Sequence, residues 1–141
     1  MTALFRRARV AVDACEPVTE IRLRNGSVLT DPAENRLWPT FSDIWYHAAY
    51  ASHCAIPEDA VVVDIGANVG AFSLFAARVA RVVYSLEPAS SNFSRLVSNV
   101  SRALKIVPLK LACAAQDGRL SLDLSSDAVS FSLKTSASPG S

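Results

Sequence analysis

The pattern of apolar and polar residues divides the chain into an N-terminal lead-in, a centre of strands and helices, and a polar tail. Glu20 to Thr30 (EIRLRNGSVLT) alternates through Ile21 and Leu23, meets Asn25-Gly26, and resumes at Val28 and Leu29. Asn-Gly between strand-like flanks predicts a β-hairpin over residues 20–30, closed by a type I′ turn with positive φ at both central residues. The period then changes. In FSDIWYHAAY, Phe41, Ile44, Trp45 and Ala48 recur at helical spacing, with Tyr46 and Tyr50 four apart beside them. This spacing predicts an amphipathic helix over residues 41–52, with Thr40 or Ser42 as its N-cap.

The centre is more regular. Val61 to Ile65 is a continuous, mostly β-branched run, the mark of a strand covered on both faces. Glycines at 66 and 70 follow it, and a helix over residues 71–80 is expected to bury Phe72, Phe75, Ala76 and Val79. Val82 to Leu86 reads as a second strand, stopped by Glu87-Pro88. A second helix carries Phe93, Leu96, Val97, Val100 and Leu104 on one stripe. Ile106 to Leu111 reads as a third strand, in which Pro108 marks a start or an irregularity. Strands alternating with helices through short links imply right-handed crossovers and a parallel sheet. Beyond Asp117-Gly118, Leu120, Leu122 and Leu124 alternate with polar residues, as do Val129, Phe131 and Leu133, which predicts an antiparallel hairpin with one wet face. TSASPGS at the end has no period and is expected to fray. The expected organisation is a lead-in over 1–59, an α/β core over 60–134 and a tail over 135–141.

Composition narrows the function classes. Half of the 141 residues are hydrophobic, which excludes disorder over most of the length. Fourteen basic against thirteen acidic residues leave a net charge of +1, without the basic surplus that a nucleic-acid binder needs. Cys15, Cys54 and Cys113 are odd in number and far apart, which argues against a disulfide framework and a structural zinc site, so no metal is expected. No segment supplies the ~20 consecutive apolar residues of a membrane span. Arg6, Arg7 and Arg9 precede an apolar stretch, but Asp13 interrupts it short of the ~7–15 apolar residues of a secretory signal. A cytoplasmic location is the expectation.

The segment that carries chemistry is VVVDIGANVGAFSLFAA followed by VVYSLEP. A glycine turn between strand and helix lies at the C-terminal edge of a parallel sheet, where open α/β folds bind ligands. Gly66 permits the tight turn and a ligand's close approach, and Gly70 lets the helix start close against the strand. Dinucleotide-binding turns read Gly-x-Gly-x-x-Gly and hold a pyrophosphate. Here Asn68 occupies the middle glycine position, and Asp64 sits two residues before Gly66. A carboxylate at that mouth repels a pyrophosphate and suits a cation. S-adenosylmethionine, with a sulfonium, an ammonium and no phosphate, fits. Glu87, 21 residues after Gly66, stands where a doubly wound fold places the acceptor for ribose hydroxyls. A lone Asp-x-Gly-x-x-x-Gly is also compatible with a plain strand-to-helix turn, and Asn68 with a turn residue that tolerates the left-handed region.

Residues 62–70 (VVDIGANVG), Phe72-Ser73-Leu74, Leu86-Glu87-Pro88 and Asn92-Phe93 closely resemble the FkbM family of S-adenosylmethionine-dependent methyltransferases. Leu23-Arg24-Asn25-Gly26, the Phe41 to Tyr50 helix, Ala112 and Asp117-Gly118 extend the resemblance over residues 20–122. It implies a Rossmann-like class I methyltransferase fold and O-methylation of a hydroxyl on a sugar or natural product. It further implies that Asp64, Gly66, Ala67, Asn68 and Gly70 line the methionine side of the cofactor. By the same resemblance Glu87 holds the ribose, Pro88 shapes the adenosine pocket, and Ala112 and Cys113 flank the adenine.

Two departures stand out. Ala89 replaces the asparagine that commonly follows Glu-Pro in the family, and no Lys-Ile-Asp-x-Glu-Gly-type strand follows the second hairpin. At ~30 residues per βαβ unit, residues 60–141 supply about three parallel strands, an incomplete sheet. The expectation is therefore a truncated, cofactor-binding part of a methyltransferase, inactive alone, with a free edge beside the first strand that invites pairing. The alternative is a catalytically inactive remnant or binding module of the same fold. No catalytic base stands out. His47 and His53 are weak candidates, and Tyr46 and Tyr50 are better suited as pocket walls.

Overall fold

The computed structural model describes residues 19–31, 37–47, 55–115, 121–123 and 132–134. In the lead-in, β1 (Glu20–Arg22) and β2 (Val28–Thr30) form the expected antiparallel hairpin, with Ile21 opposite Leu29 and both buried. Its turn is not type I′. Gly26 N–H donates to Leu23 O, Leu23 N–H donates to Ser27 O, and of the Asn-Gly pair only Gly26 has positive φ. That is a three-residue loop ending on a left-handed glycine. The Asn25 side-chain oxygen accepts from Ser27 N–H and holds the turn.

Helix α1 (Leu37–Trp45) begins four residues before the position its apolar period suggested. Thr40 and Ser42 lie inside it and are not N-caps; the Ser42 hydroxyl donates back to Pro39 O. Pro39 is tolerated because it falls in the first turn, where its missing N–H has no intrahelical partner to lose. Leu37, Phe41 and Ile44 form the buried stripe. Tyr50 and His53 lie outside the described residues.

The core is β3 (Val61–Ile65), α2 (Ala71–Ala76), β4 (Val82–Leu86), α3 (Ser90–Val100) and β5 (Ile106–Leu109). The three strands form one parallel sheet in the order β3-β4-β5, a βαβαβ half of an open α/β fold. Because both crossovers step in the same direction, α2 and α3 cover the same face. Packing of α1 on α2 extends this layer: Trp45 lies edge-on to Phe75 at 5.5 Å, and its indole N–H donates to Ala71 O at 3.3 Å. Pro108 sits opposite Ser85 in β5, an outer strand of this sheet, where a missing N–H is least costly.

Several expectations are corrected. β3 is covered on one face only: Val61, Val63 and Ile65 are 50%, 56% and 62% exposed, and the register places Tyr84 and Val107 beside them on the same open face. A β-branched run satisfies strand propensity whether or not a second layer covers it, so it did not distinguish the two cases. Helix α2 stops at Ala76 and continues as a turn through Val79. Helix α3 stops at Val100, leaving Leu104 98% exposed, and its buried residues are Asn92, Leu96, Asn99 and Val100. The C-terminal hairpin is present as β6 (Ser121–Asp123) and β7 (Ser132–Lys134), pairing Leu122 with Leu133. No helix among the described residues is long and apolar enough to cross a membrane.

Candidate functional site

The parallel pairing of β3 and β4 runs out at Ile65 and Leu86, and the chain then turns across the C-terminal edge of the sheet. Gly66 N–H and Ala67 N–H both donate to Leu86 O at 2.9 Å, and Gly70 N–H donates to Ala67 O at 2.8 Å. Three residues of this turn take positive φ: Gly66 at 77°, Asn68 at 50° and Gly70 at 95°. The two glycines do different work. A Cβ on Gly66 would meet nothing within 4 Å, so the space against its backbone is open. A Cβ on Gly70 would lie 2.9 Å from Leu96 Cδ1 and 3.2 Å from Val100 Cγ1. Gly70 is thus required for close approach to α3, not for the packing against the strand that the sequence suggested. Asn68 tolerates the left-handed region, as its short polar side chain allows.

Glu87 organises this turn. Buried just past β4, its Oε2 accepts from Asn68 N–H at 2.8 Å and its Oε1 from Ala89 N–H at 2.9 Å. Its own N–H donates to Leu109 O at 3.0 Å, which ties it to β5. One carboxylate therefore pins both the glycine turn and the start of α3. Each carboxylate oxygen has two lone-pair positions, so acceptor capacity remains beyond these bonds.

Asp64 is buried on the helix-covered face of β3, in register with Ser85 of β4. Ser73 of α2 bridges the two: its hydroxyl donates to Asp64 Oδ2 at 2.5 Å and accepts from the Ser85 hydroxyl at 2.8 Å. Burial raises the Asp64 carboxyl above its ordinary value. The Ser73 hydroxyl and N–H pull it down and the neighbouring Glu87 charge pushes it up, with burial dominant. A low-dielectric site with two acidic groups favours a cation over an anion, which would add like charge.

The structure brings Asp64, Gly66, Ala67, Asn68, Gly70 and Glu87 together around one turn. Pro88, half-buried, follows directly. Ala112 and Cys113 are exposed and lie past the end of β5, which stops at Leu109, two residues short of the Leu111 end that the sequence predicts. Tyr46 is exposed and rests on Trp38 and Phe41, while His47 is exposed and bonded to Asp43. Three residues escaped sequence reasoning as participants: Ser73, Ser85 and Asn99, whose Nδ2 donates to Val69 O of the turn at 2.8 Å. Ser85 had a signal, a serine inside an otherwise apolar and aromatic strand two residues before Glu87. Asn99 had only its place on a helix, which does not distinguish a buried amide from a solvated one.

No protein-family model matches the chain, and no curated protein matches it in sequence. Solved structures do. Phosphoethanolamine N-methyltransferase 1 of Haemonchus contortus, in complex with phosphoethanolamine and S-adenosylhomocysteine, is 26% identical over 49% of this chain and 14% of its own, with a TM-score of 0.41. Trm5b of Pyrococcus abyssi is 26% identical over 66% of this chain and 28% of its own, with a TM-score of 0.44. M. jannaschii TYW2 in complex with AdoMet is 21% identical over 67% of this chain and 43% of its own, with a TM-score of 0.49. The chain therefore spans less than half the length of each of these proteins.

Proposed function

We propose that the turn between β3 and α2 binds S-adenosylmethionine, and that the chain is the cofactor-binding portion of a methyltransferase. The acceptor class we propose is a hydroxyl on a sugar or natural product, in keeping with the FkbM resemblance of the Asp64 to Gly70 string. The observation that carries the reading is the pair of buried carboxylates, Asp64 and Glu87, flanking a turn whose Gly66 backbone faces open space. The fit is chemical. A cationic nucleoside gains from both acids, whereas a pyrophosphate would meet them as like charge.

In this reading Glu87 accepts from the ribose hydroxyls with its remaining lone pairs. Asp64, held by the Ser73 hydroxyl that Ser85 in turn donates to, supplies negative potential toward the methionine end. Asn68 and Ala67 line the turn, and Pro88 borders the adenosine. Ala112 and Cys113 are proposed to flank the adenine. The bound group supplies a methyl activated by its sulfonium; the protein's own contribution is proximity and orientation. No described side chain is assigned as a base.

Isothermal titration of the 141-residue chain tests this. S-adenosylmethionine and S-adenosylhomocysteine are expected to bind and NAD is not. Asp64→Asn should weaken S-adenosylmethionine more than S-adenosylhomocysteine, which lacks the sulfonium charge. Preferential binding of NAD, or unchanged S-adenosylmethionine affinity in the variant, would refute the assignment.

A further inference from the structure

The β1–β2 hairpin precedes the α/β core, yet one side chain of the core joins it to the glycine turn. Asn99, buried on α3, donates through Nδ2 to Thr30 O at 3.1 Å and to Val69 O at 2.8 Å. Its Oδ1 accepts from Thr30 N–H at 3.1 Å and from the Thr30 hydroxyl at 2.9 Å. Two donors and two acceptor positions exhaust what a side-chain amide offers. The partners also fix its orientation: Thr30 N–H can only donate, and the carbonyls of Thr30 and Val69 can only accept. One helical turn earlier, Arg95 lies 3.1 Å from the Asp31 carboxylate, so α3 grips the end of β2 at two successive positions. Val69 lies inside the turn, one residue from left-handed Asn68 and one from left-handed Gly70.

We propose that Asn99 is a positioning residue for the cofactor site, through which the β1–β2 hairpin holds the glycine turn in its binding geometry. This rests on the turn being the binding site. The hairpin is then part of the site's framework through its bonds to Asn99. The bond from Nδ2 to Val69 O ties a carbonyl of the turn to α3. The other three bonds fix Nδ2 itself. Because the linkage is an equilibrium one, it runs both ways: ordering the turn must also order the hairpin end.

The test compares loss of both amide donors, the one to Val69 O included, with loss of the hydroxyl bond alone. Asn99→Asp is nearly isosteric and keeps both acceptor bonds from Thr30, but it replaces the donors to Thr30 O and Val69 O with an oxygen. Thr30→Val deletes only the hydroxyl bond and leaves Val69 untouched. In folded protein well below its melting temperature, N99D is expected to weaken S-adenosylhomocysteine by about tenfold or more, a loss of the size of one buried hydrogen bond. Amide exchange at residues 68–70 should accelerate with it. T30V should lower the melting temperature and leave affinity within about twofold. Affinity and loop exchange unchanged in N99D would overturn the proposal, as would equal losses in both variants. If N99D does not fold, the wild-type chain decides: saturating S-adenosylhomocysteine must slow exchange of the Thr30 and Asp31 amides, and no slowing overturns the proposal. If the wild type binds no S-adenosylhomocysteine, the cofactor assignment fails, while loop exchange in N99D still tests the positioning role.

Discussion

Alanine at Gly66 and alanine at Gly70 make the same chemical change in the same turn, and the structure assigns them different consequences. Both glycines have strongly positive φ. Moving a residue with a Cβ into the left-handed region costs roughly 1–2 kcal/mol. A stiffer unfolded chain offsets about 0.4–1 kcal/mol of that. At Gly66 nothing else enters, because the new methyl meets no atom within 4 Å. At Gly70 the methyl lands 2.9 Å from Leu96 Cδ1 and 3.2 Å from Val100 Cγ1. Leu96 is fully buried and cannot swing away, and Val100 is β-branched in a helix and has essentially one rotamer. Overpacking of this kind adds about 1–3 kcal/mol. The expected losses are therefore about 1 kcal/mol for Gly66→Ala and about 2–4 kcal/mol for Gly70→Ala. With a urea slope of about 2 kcal/mol per molar, the unfolding midpoint should fall by roughly 0.5 M and 1–2 M respectively. The order should reverse for ligand. Gly66→Ala keeps the fold but places its methyl in the open space and should abolish S-adenosylhomocysteine binding. Equal midpoint shifts, or full binding by a folded Gly66→Ala variant, would refute the division of labour between the two glycines.

Two further outcomes are expected. The Asp64 carboxyl is held above its ordinary value of 3.8, so folding penalises its ionised form relative to the unfolded chain. The stability linked to it is present below that value and lost as pH rises through the raised one. Asp64→Asn should consequently raise the melting temperature at pH 7 relative to wild type, with the gap closing as pH falls toward 4. A variant that is less stable at every pH would contradict the burial argument. On the open face of the sheet, Val63→Lys should leave urea stability within about 0.5 kcal/mol and reduce self-association in sedimentation velocity, since Val63 is 56% exposed. Loss of cooperative unfolding would mean that this face is covered.

The sequence made the βαβαβ order legible because its periods are strong: mostly apolar strands of four or five residues, glycine punctuation, and a helix with apolar residues at i, i+4 spacing. The hairpins were legible from their alternation, and the turn residues at 64, 66, 68, 70 and 87 from their departure from a dinucleotide pattern. Element ends were less so. Helix α1 starts at Leu37, one turn ahead of Phe41 on the same buried stripe, with Pro39 tolerated in its first turn, and α3 ends before Leu104 although the period continues.

Local pattern alone was enough to set the strand and helix order and to put two acidic residues at neighbouring strand ends, since those properties follow from spacing along the chain. What only the tertiary structure decided was what each polar group meets. The clamp of Glu87 on Asn68 N–H, the Ser85–Ser73–Asp64 chain, the Asn99 link from Thr30 to Val69, and the approach of α3 to Gly70 all join residues brought close by packing. The same holds for the open face of β3, because whether an apolar strand is covered depends on a second layer that its own residues do not encode.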